Sequence, residues 1–182
     1  MRAHVLLAAA ALAMTAPASA ELGKGAKAPL FKADGAVAGQ PVKVDLAAAL
    51  KKGPVVLYFF PAAFTAGCNA EAHAFAEALP DFQKAGATVI GMTAGNVDQL
   101  AKFSSEHCAG KFAVAAASPE VIRGYDVQLT KPDGSKTTLT SRTSYVIAPD
   151  GRVIFSYSDM KPGDHIRLSL DAVRKYRAAH RG

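Results

Sequence analysis

Residues 55–68, Val-Val-Leu-Tyr-Phe-Phe-Pro-Ala-Ala-Phe-Thr-Ala-Gly-Cys, constrain the fold of this chain more than any other stretch. Six consecutive apolar residues, Val55 to Phe60, follow Lys-Lys-Gly-Pro at 51–54 and run into Pro61, which predicts a buried central strand ending in a turn. An apolar-patterned helix follows from Asn69 to about Ala78, so Cys68 arrives where that helix starts. A thiol in that place meets the positive end of the peptide dipoles and the unpaired N–H groups of the first turn, both of which favour the sulfur anion. The residues themselves point to a nucleophilic cysteine.

The first twenty residues are set apart before any fold is considered. Arg2 and His4 give a basic start, Val5 to Met14 is apolar, and Ala18-Ser19-Ala20 has the small-x-small form of a signal-peptidase site. Export, with cleavage before Glu21, is the expectation. The apolar run is too short for a membrane-spanning anchor. The 162 residues left of 182 make a single domain, 21–182, large enough for a real core and divided by no repeat or linker. The net charge of +6 is scattered except at Arg174-Lys175, Arg177 and Arg181, where basic side chains suit the last turns of a helix. No nucleic-acid or membrane partner is implied. Only two cysteines occur, Cys68 and Cys108. In an exported protein such a pair ordinarily forms a permanent disulfide, which is the plain alternative to a reactive thiol.

The remaining elements alternate. A segment over Lys32 to Val44, with Gly35 and Gly39 at turn positions, leads to Asp45 as cap of a short helix, Leu46 to Lys52. After Cys68, the residues Ala72, Phe75, Ala78 and Leu79 form a core-facing stripe, Pro80 marks a kink or new first turn, and Gly86 ends the helix. Ala87 to Thr93 is a second buried strand. Asn96 caps a helix with Val97, Leu100 and Phe103 inward, and Cys108 in its last turn. A strand over Phe112 to Ala117 precedes a helix from Pro119 to about Tyr125. Turns at Lys131–Gly134 and Ala148–Arg152 follow, the second joining Ser144–Ile147 to Val153–Tyr157 as a hairpin. Asp164 caps a last helix packed through Ile166, Leu168, Leu170 and Val173. The order implies an α/β chain: a central mixed β-sheet flanked by helices on both faces.

Pro61, Thr65 and Cys68 form P-x-x-x-T-x-x-C between strand and helix, a pattern that resembles the peroxidatic site of the peroxiredoxins, the AhpC/TSA family of thiol peroxidases on a thioredoxin-like fold. Arg142, in Ser-Arg-Thr-Ser-Tyr-Val-Ile, matches the distant arginine that completes that site, and the resemblance extends from Ala28-Pro29 to the C-terminal helix. It implies that Cys68 attacks a hydroperoxide and becomes a sulfenic acid. Arg142 would stabilise the sulfur anion and the developing oxyanion, while Thr65 would hydrogen-bond the peroxide or the sulfur. The N–H groups of Gly67 and Cys68 would hold the oxygens, and Pro61 would exclude water. Glu71 lies one turn beyond Cys68, either orienting Arg142 near the substrate or serving only as a surface carboxylate in the first helical turn.

Taken singly, Pro61 could simply end a strand, Thr65 could be only a helix cap, and Arg142 could be a solvated charge. His73 stands where one branch of the family carries its second cysteine, so that branch does not fit. Cys108 resembles the second cysteine of the bacterioferritin-comigratory, peroxiredoxin Q-like branch, which implies an intramolecular disulfide re-reduced by an external, thioredoxin-like dithiol protein. Disulfide geometry then requires local unwinding at both cysteines. A periplasmic or secreted, monomeric enzyme is expected, without metal or cofactor; His73, His107 and His165 lack ligand spacing. Two other readings stay open: a thiol–disulfide oxidoreductase, although Cys68 lacks a C-x-x-C partner, and a non-catalytic exported binding domain with a structural Cys68–Cys108 bridge.

Overall fold

The structure is a computed structural model that describes residues 22–180, so the expected leader and cleavage point lie outside the described residues. The strands are β1 (Lys32–Val37), β2 (Gln40–Asp45), β3 (Val55–Phe59), β4 (Thr88–Thr93), β5 (Ala113–Ala116), β6 (Gln128–Thr130), β7 (Lys136–Thr140), β8 (Thr143–Ile147) and β9 (Val153–Ser158). The helices are α1 (Leu46–Leu50), α2 (Ala66–Lys84), α3 (Leu100–Glu106), α4 (Pro119–Gly124) and α5 (Gly163–Ala179). Seven strands form a mixed sheet in the order β2-β1-β5-β4-β3-β8-β9, and β6 pairs with β7 alone. The β3–β4 and β4–β5 pairs are parallel, while β3–β8 and β8–β9 are antiparallel. Sheet and helices make the thioredoxin-like arrangement expected from the element order.

Strand β3 is central, which explains its unbroken apolar run. Val56, Tyr58 and Phe60 pack with α2, α3 and α5 on one face, and Val55, Leu57 and Phe59 pack with α1 and α4 on the other. Both faces are covered, so no polar alternation is tolerated.

Several local expectations change. Gly35 is not a turn residue but lies within β1, where a Cβ would stand 2.4 Å from the Val114 carbonyl of β5; only Gly39, at φ 78°, occupies the turn. Pro80 begins no new first turn but sits inside an unbroken α2. It removes the N–H that would bond the Ala76 carbonyl, and Lys111 Nζ donates to that carbonyl instead at 3.1 Å. Asp45 caps α1 through Ala48 N–H as expected, but Asp164 does not cap α5. Pro162 holds that position and Asp164 pairs with Arg167 in the first turn. Asn96 makes no cap bond either. It sits at φ 55°, and its side-chain amide donates to Ala63 O at 2.8 Å.

That last bond belongs to a set that fastens residues 61–65 to the end of β4. Thr93 Oγ1 donates to Pro61 O at 3.0 Å, and Ala63 N–H donates to Gly95 O at 3.2 Å. Gly95 is required there, since a Cβ would lie 2.4 Å from Pro61 O. The loop leaving the central strand is thereby held in place before α2 begins.

Candidate active site

Cys68 is the third residue of α2 and is 1% exposed. Thr65 occupies the N-cap position but makes no capping bond; its hydroxyl donates to Ala62 O at 3.2 Å. Asn69 N–H closes the first helical bond, to Thr65 O. The N–H groups of Ala66, Gly67 and Cys68 therefore have no partner within the helix, and point from its positive end. Such a terminus suits an anion.

Arg142, just before β8, reaches this terminus from the sheet and is 3% exposed. Its three nitrogens meet three different partners. Nε–H donates to Met160 O at 2.9 Å, Nη1 pairs with Glu71 Oε2, and Nη2 lies 3.5 Å from Cys68 Sγ. Gly67 leaves room for this approach, because a Cβ on it would stand 3.1 Å from Nη2. Arg142 is no solvated charge.

Glu71 is no surface carboxylate either, being fully buried. It holds the arginine rather than facing solvent, where a substrate would enter. Burial pushes its carboxyl up, to about 8, against the pull of Arg142. Its other oxygen, Oε1, has no hydrogen-bond partner and lies 3.9 Å from His165 Nδ1. Pro61 is half-buried beside the loop.

Cys108 lies beyond α3, not in its last turn. The helix ends at Glu106, and Ala109 and Gly110 follow at φ 50° and 65°. It is buried in the same apolar cluster as Cys68, and burial pushes its thiol up to about 12. Both cysteines are free thiols. The Tyr58 hydroxyl is buried within electrostatic reach of both, and burial raises it well above the ordinary phenol range.

The model of the AhpC/TSA family matches residues 24–156. The chain belongs to the AhpC/TSA family. Among its relatives, a protein of Xanthomonas campestris named "Peroxiredoxin Bcp" is 28% identical over 123 residues, 67% of this chain and 77% of that protein. The chloroplastic peroxiredoxin Q of Sedum lineare is 30% identical over 133 residues, 72% of this chain and 68% of that protein. The crystal structure of peroxidoxin BcpB from Mycobacterium tuberculosis superposes with a TM-score of 0.74 at 26% identity, covering 88% of this chain and 99% of that one. The chain is thus an enzyme of the peroxiredoxin kind, a thiol-dependent peroxidase of the Bcp and peroxiredoxin Q branch.

The three residues of the P-x-x-x-T-x-x-C pattern, Pro61, Thr65 and Cys68, lie with Gly67 along one loop and helix start, to which the fold brings Arg142 and Glu71. Cys108 is in the same core but not bonded to Cys68. Missed from sequence is a set of buried polar groups behind the arginine. His165 and Ser169 replace Leu168 on the inward face of α5, and His165 bonds Ser144 Oγ through Nδ1 at 2.8 Å. Burial lowers the His165 pKa and keeps the ring neutral. The one available signal was spacing: His165 and Ser169 are four apart, in step with Val173.

Proposed function

We propose that Cys68 is the peroxidatic nucleophile of a two-cysteine peroxidase that reduces hydrogen peroxide and organic hydroperoxides. The observation that carries this reading is Arg142: a buried guanidinium 3.5 Å from a sulfur at the start of a helix whose first N–H groups are unpaired. A sulfur anion there forms an S–O bond as the O–O bond breaks. The leaving oxygen departs with the bonding pair as alkoxide or hydroxide and takes a proton from water; Cys68 keeps the other as sulfenic acid. Gly67 and Cys68 N–H and Arg142 are the donors available to the two oxygens, preorganised by the fold, while the Thr65 hydroxyl must turn from Ala62 O to join them. Glu71 orients Arg142.

Cys108 then attacks the sulfenic sulfur, and an intramolecular disulfide forms with loss of water. Its buried thiol is a poor nucleophile where it stands, so its segment must open before it can react. The positive-φ pair at Ala109 and Gly110 makes a turn that can unwind without breaking the sheet. An external dithiol protein of thioredoxin type then exchanges with the disulfide and restores both thiols. We further propose that the chain works as a monomer outside the cytoplasm, after cleavage before Glu21. N-terminal sequencing of the protein from the periplasm or medium checks the cleavage.

The decisive experiment is thiol titration after one equivalent of hydrogen peroxide. A peroxidase loses both thiols rapidly, and Cys108→Ser yields a dimedone-reactive sulfenic acid on Cys68. Thiols that persist in the reduced wild type after peroxide refute the reading.

A further inference from the structure

His165 is fully buried in the first turn of α5 and takes no part in the chemistry just described. A histidine in such a place is costly unless both ring nitrogens are satisfied. They are. Nε2 lies 2.8 Å from the Asp159 carbonyl, which can only accept, so Nε2 carries the proton. In the neutral ring Nδ1 then accepts from Ser144 Oγ–H.

Each of these bonds grips a neighbour of Arg142. Ser144 is two residues along the strand that Arg142 enters. Asp159 is followed by Met160, whose carbonyl takes the Arg142 Nε–H at 2.9 Å. Strand β9 fastens this segment as far as Ser158, whose hydroxyl donates to Arg142 O at 3.3 Å. Past the strand end Met160 is 51% exposed, and the side-chain bonds of Asp159 are short-range, from Lys161 N–H to Oδ1 and from Tyr157 Oη to Oδ2. Beyond Ser158, the imidazole is the side chain that ties the Asp159 carbonyl, one residue before Met160, to the core. Its Nδ1 also stands 3.9 Å from Glu71 Oε1, the free oxygen of the carboxyl that holds Nη1. Of the two fixed partners of the guanidinium, Glu71 thus lies beside the ring, and Met160 follows the residue whose carbonyl the ring holds.

We infer that His165 is a positioning residue for the peroxidase site: through the Asp159 carbonyl and Ser144 it holds the Met160 carbonyl and the strand entry that aim Arg142 at Cys68. This rests on Cys68 being the peroxidatic nucleophile. The ring does not touch substrate; it acts through the arginine.

The test is a set of His165 variants in a Cys108→Ala chain, with the second-order rate of Cys68 oxidation by hydrogen peroxide measured well below each melting temperature. His165→Leu, which cannot donate to Asp159 O, should be slowed about tenfold or more. His165→Gln, whose amide reaches about as far as Nε2, should recover most of the rate, and His165→Asn should not. In an Arg142→Met background the Leu change should add nothing, since the group it aims is gone. Rates within twofold across the Leu, Asn and Gln variants, or an undiminished loss in the Arg142→Met background, overturn the inference. Should the Leu variant fail to fold, the Gln and Asn pair carries the same contrast. The Arg142 Nε–H signal in nitrogen-15 spectra is independent of peroxide: it should exchange faster with solvent in the Asn variant than in Gln, and equal exchange overturns the clamp. A wild-type chain that ignores peroxide while this exchange still differs refutes the peroxidase reading and leaves the clamp standing.

Discussion

Replacing Arg142 with Met keeps most of its volume and removes its charge and its three contacts. The charge lies 3.5 Å from Cys68 Sγ, where Coulomb attraction at an effective dielectric constant of about 20 comes to about 5 kcal/mol. Glu71 offsets part of this, although burial drives that carboxyl toward its neutral form. A net loss of about 3 kcal/mol of transition-state stabilisation is expected, about two powers of ten in rate and in the range found when a single oxyanion donor is removed. The same substitution leaves Glu71 buried without its partner. An unpaired buried charge costs about 3–5 kcal/mol of stability unless it takes up a proton. The clean comparison is therefore Arg142→Met with Glu71→Gln, against Glu71→Gln alone, both carrying Cys108→Ala. With no tryptophan to report oxidation, the assay is quenched flow with dimedone capture and mass spectrometry of the Cys68 peptide. Arg142→Lys should recover less than about a tenth of the loss, because one ammonium cannot serve Met160, Glu71 and the sulfur together. A folded double variant that oxidises within threefold of its Glu71→Gln parent would refute the electrostatic argument.

The other predictions concern the supports of the site. The Glu71 carboxyl is raised in the folded state to about 8 from an ordinary 4.5, so its contribution to stability is complete below about pH 4.5 and is lost as pH rises through about 8. Urea melts at pH 5 and pH 9 should show the wild type losing a few kcal/mol that Glu71→Gln does not lose; parallel losses would remove the carboxyl as the cause. In the reduced enzyme Cys108 should resist iodoacetamide while Cys68 reacts, and the oxidised form should show faster amide exchange over 104–111 and 66–70. Equal alkylation of the two thiols, or unchanged exchange, speaks against a buried resolving cysteine. Lys111→Met should cost about 1 kcal/mol by leaving the Ala76 carbonyl unmet. Pro80→Ala restores a helical donor to that carbonyl, so the Lys111→Met cost should shrink in that background, read as the melting-temperature difference.

What could be read in advance was local. The strand from Val55, the turn at Pro61 and the helix start at Cys68 all follow from neighbouring residues, and together with a family pattern they pointed to Cys68 as the proposed nucleophile. Arg142 was legible only by resemblance, since nothing near it in the chain marks it as buried. Glu71 looked like an ordinary first-turn acid because its burial depends on an arginine 71 residues away. His165 was missed for the same reason: a polar side chain is recognised as internal only when its partners, here Ser144 and the Asp159 carbonyl, are in view. How Pro80 fits inside one unbroken helix was not legible, because the group that replaces its missing N–H, Lys111, comes from beyond α3. Asn96 had the composition of a cap, but the Ala63 carbonyl competes for its amide.

The fastening of Ala63 by Asn96 limits what resolution can disturb. Eleven residues lie between that anchor and Cys108, a tether that could stretch to about 40 Å if wholly drawn out. On the proposed route, slack on this scale would let the second sulfur travel to the first while the knot at Gly95 and Asn96 stays tied. The loop at Pro61 would then outlast each such cycle, ready for the next oxidant as soon as the two sulfurs part.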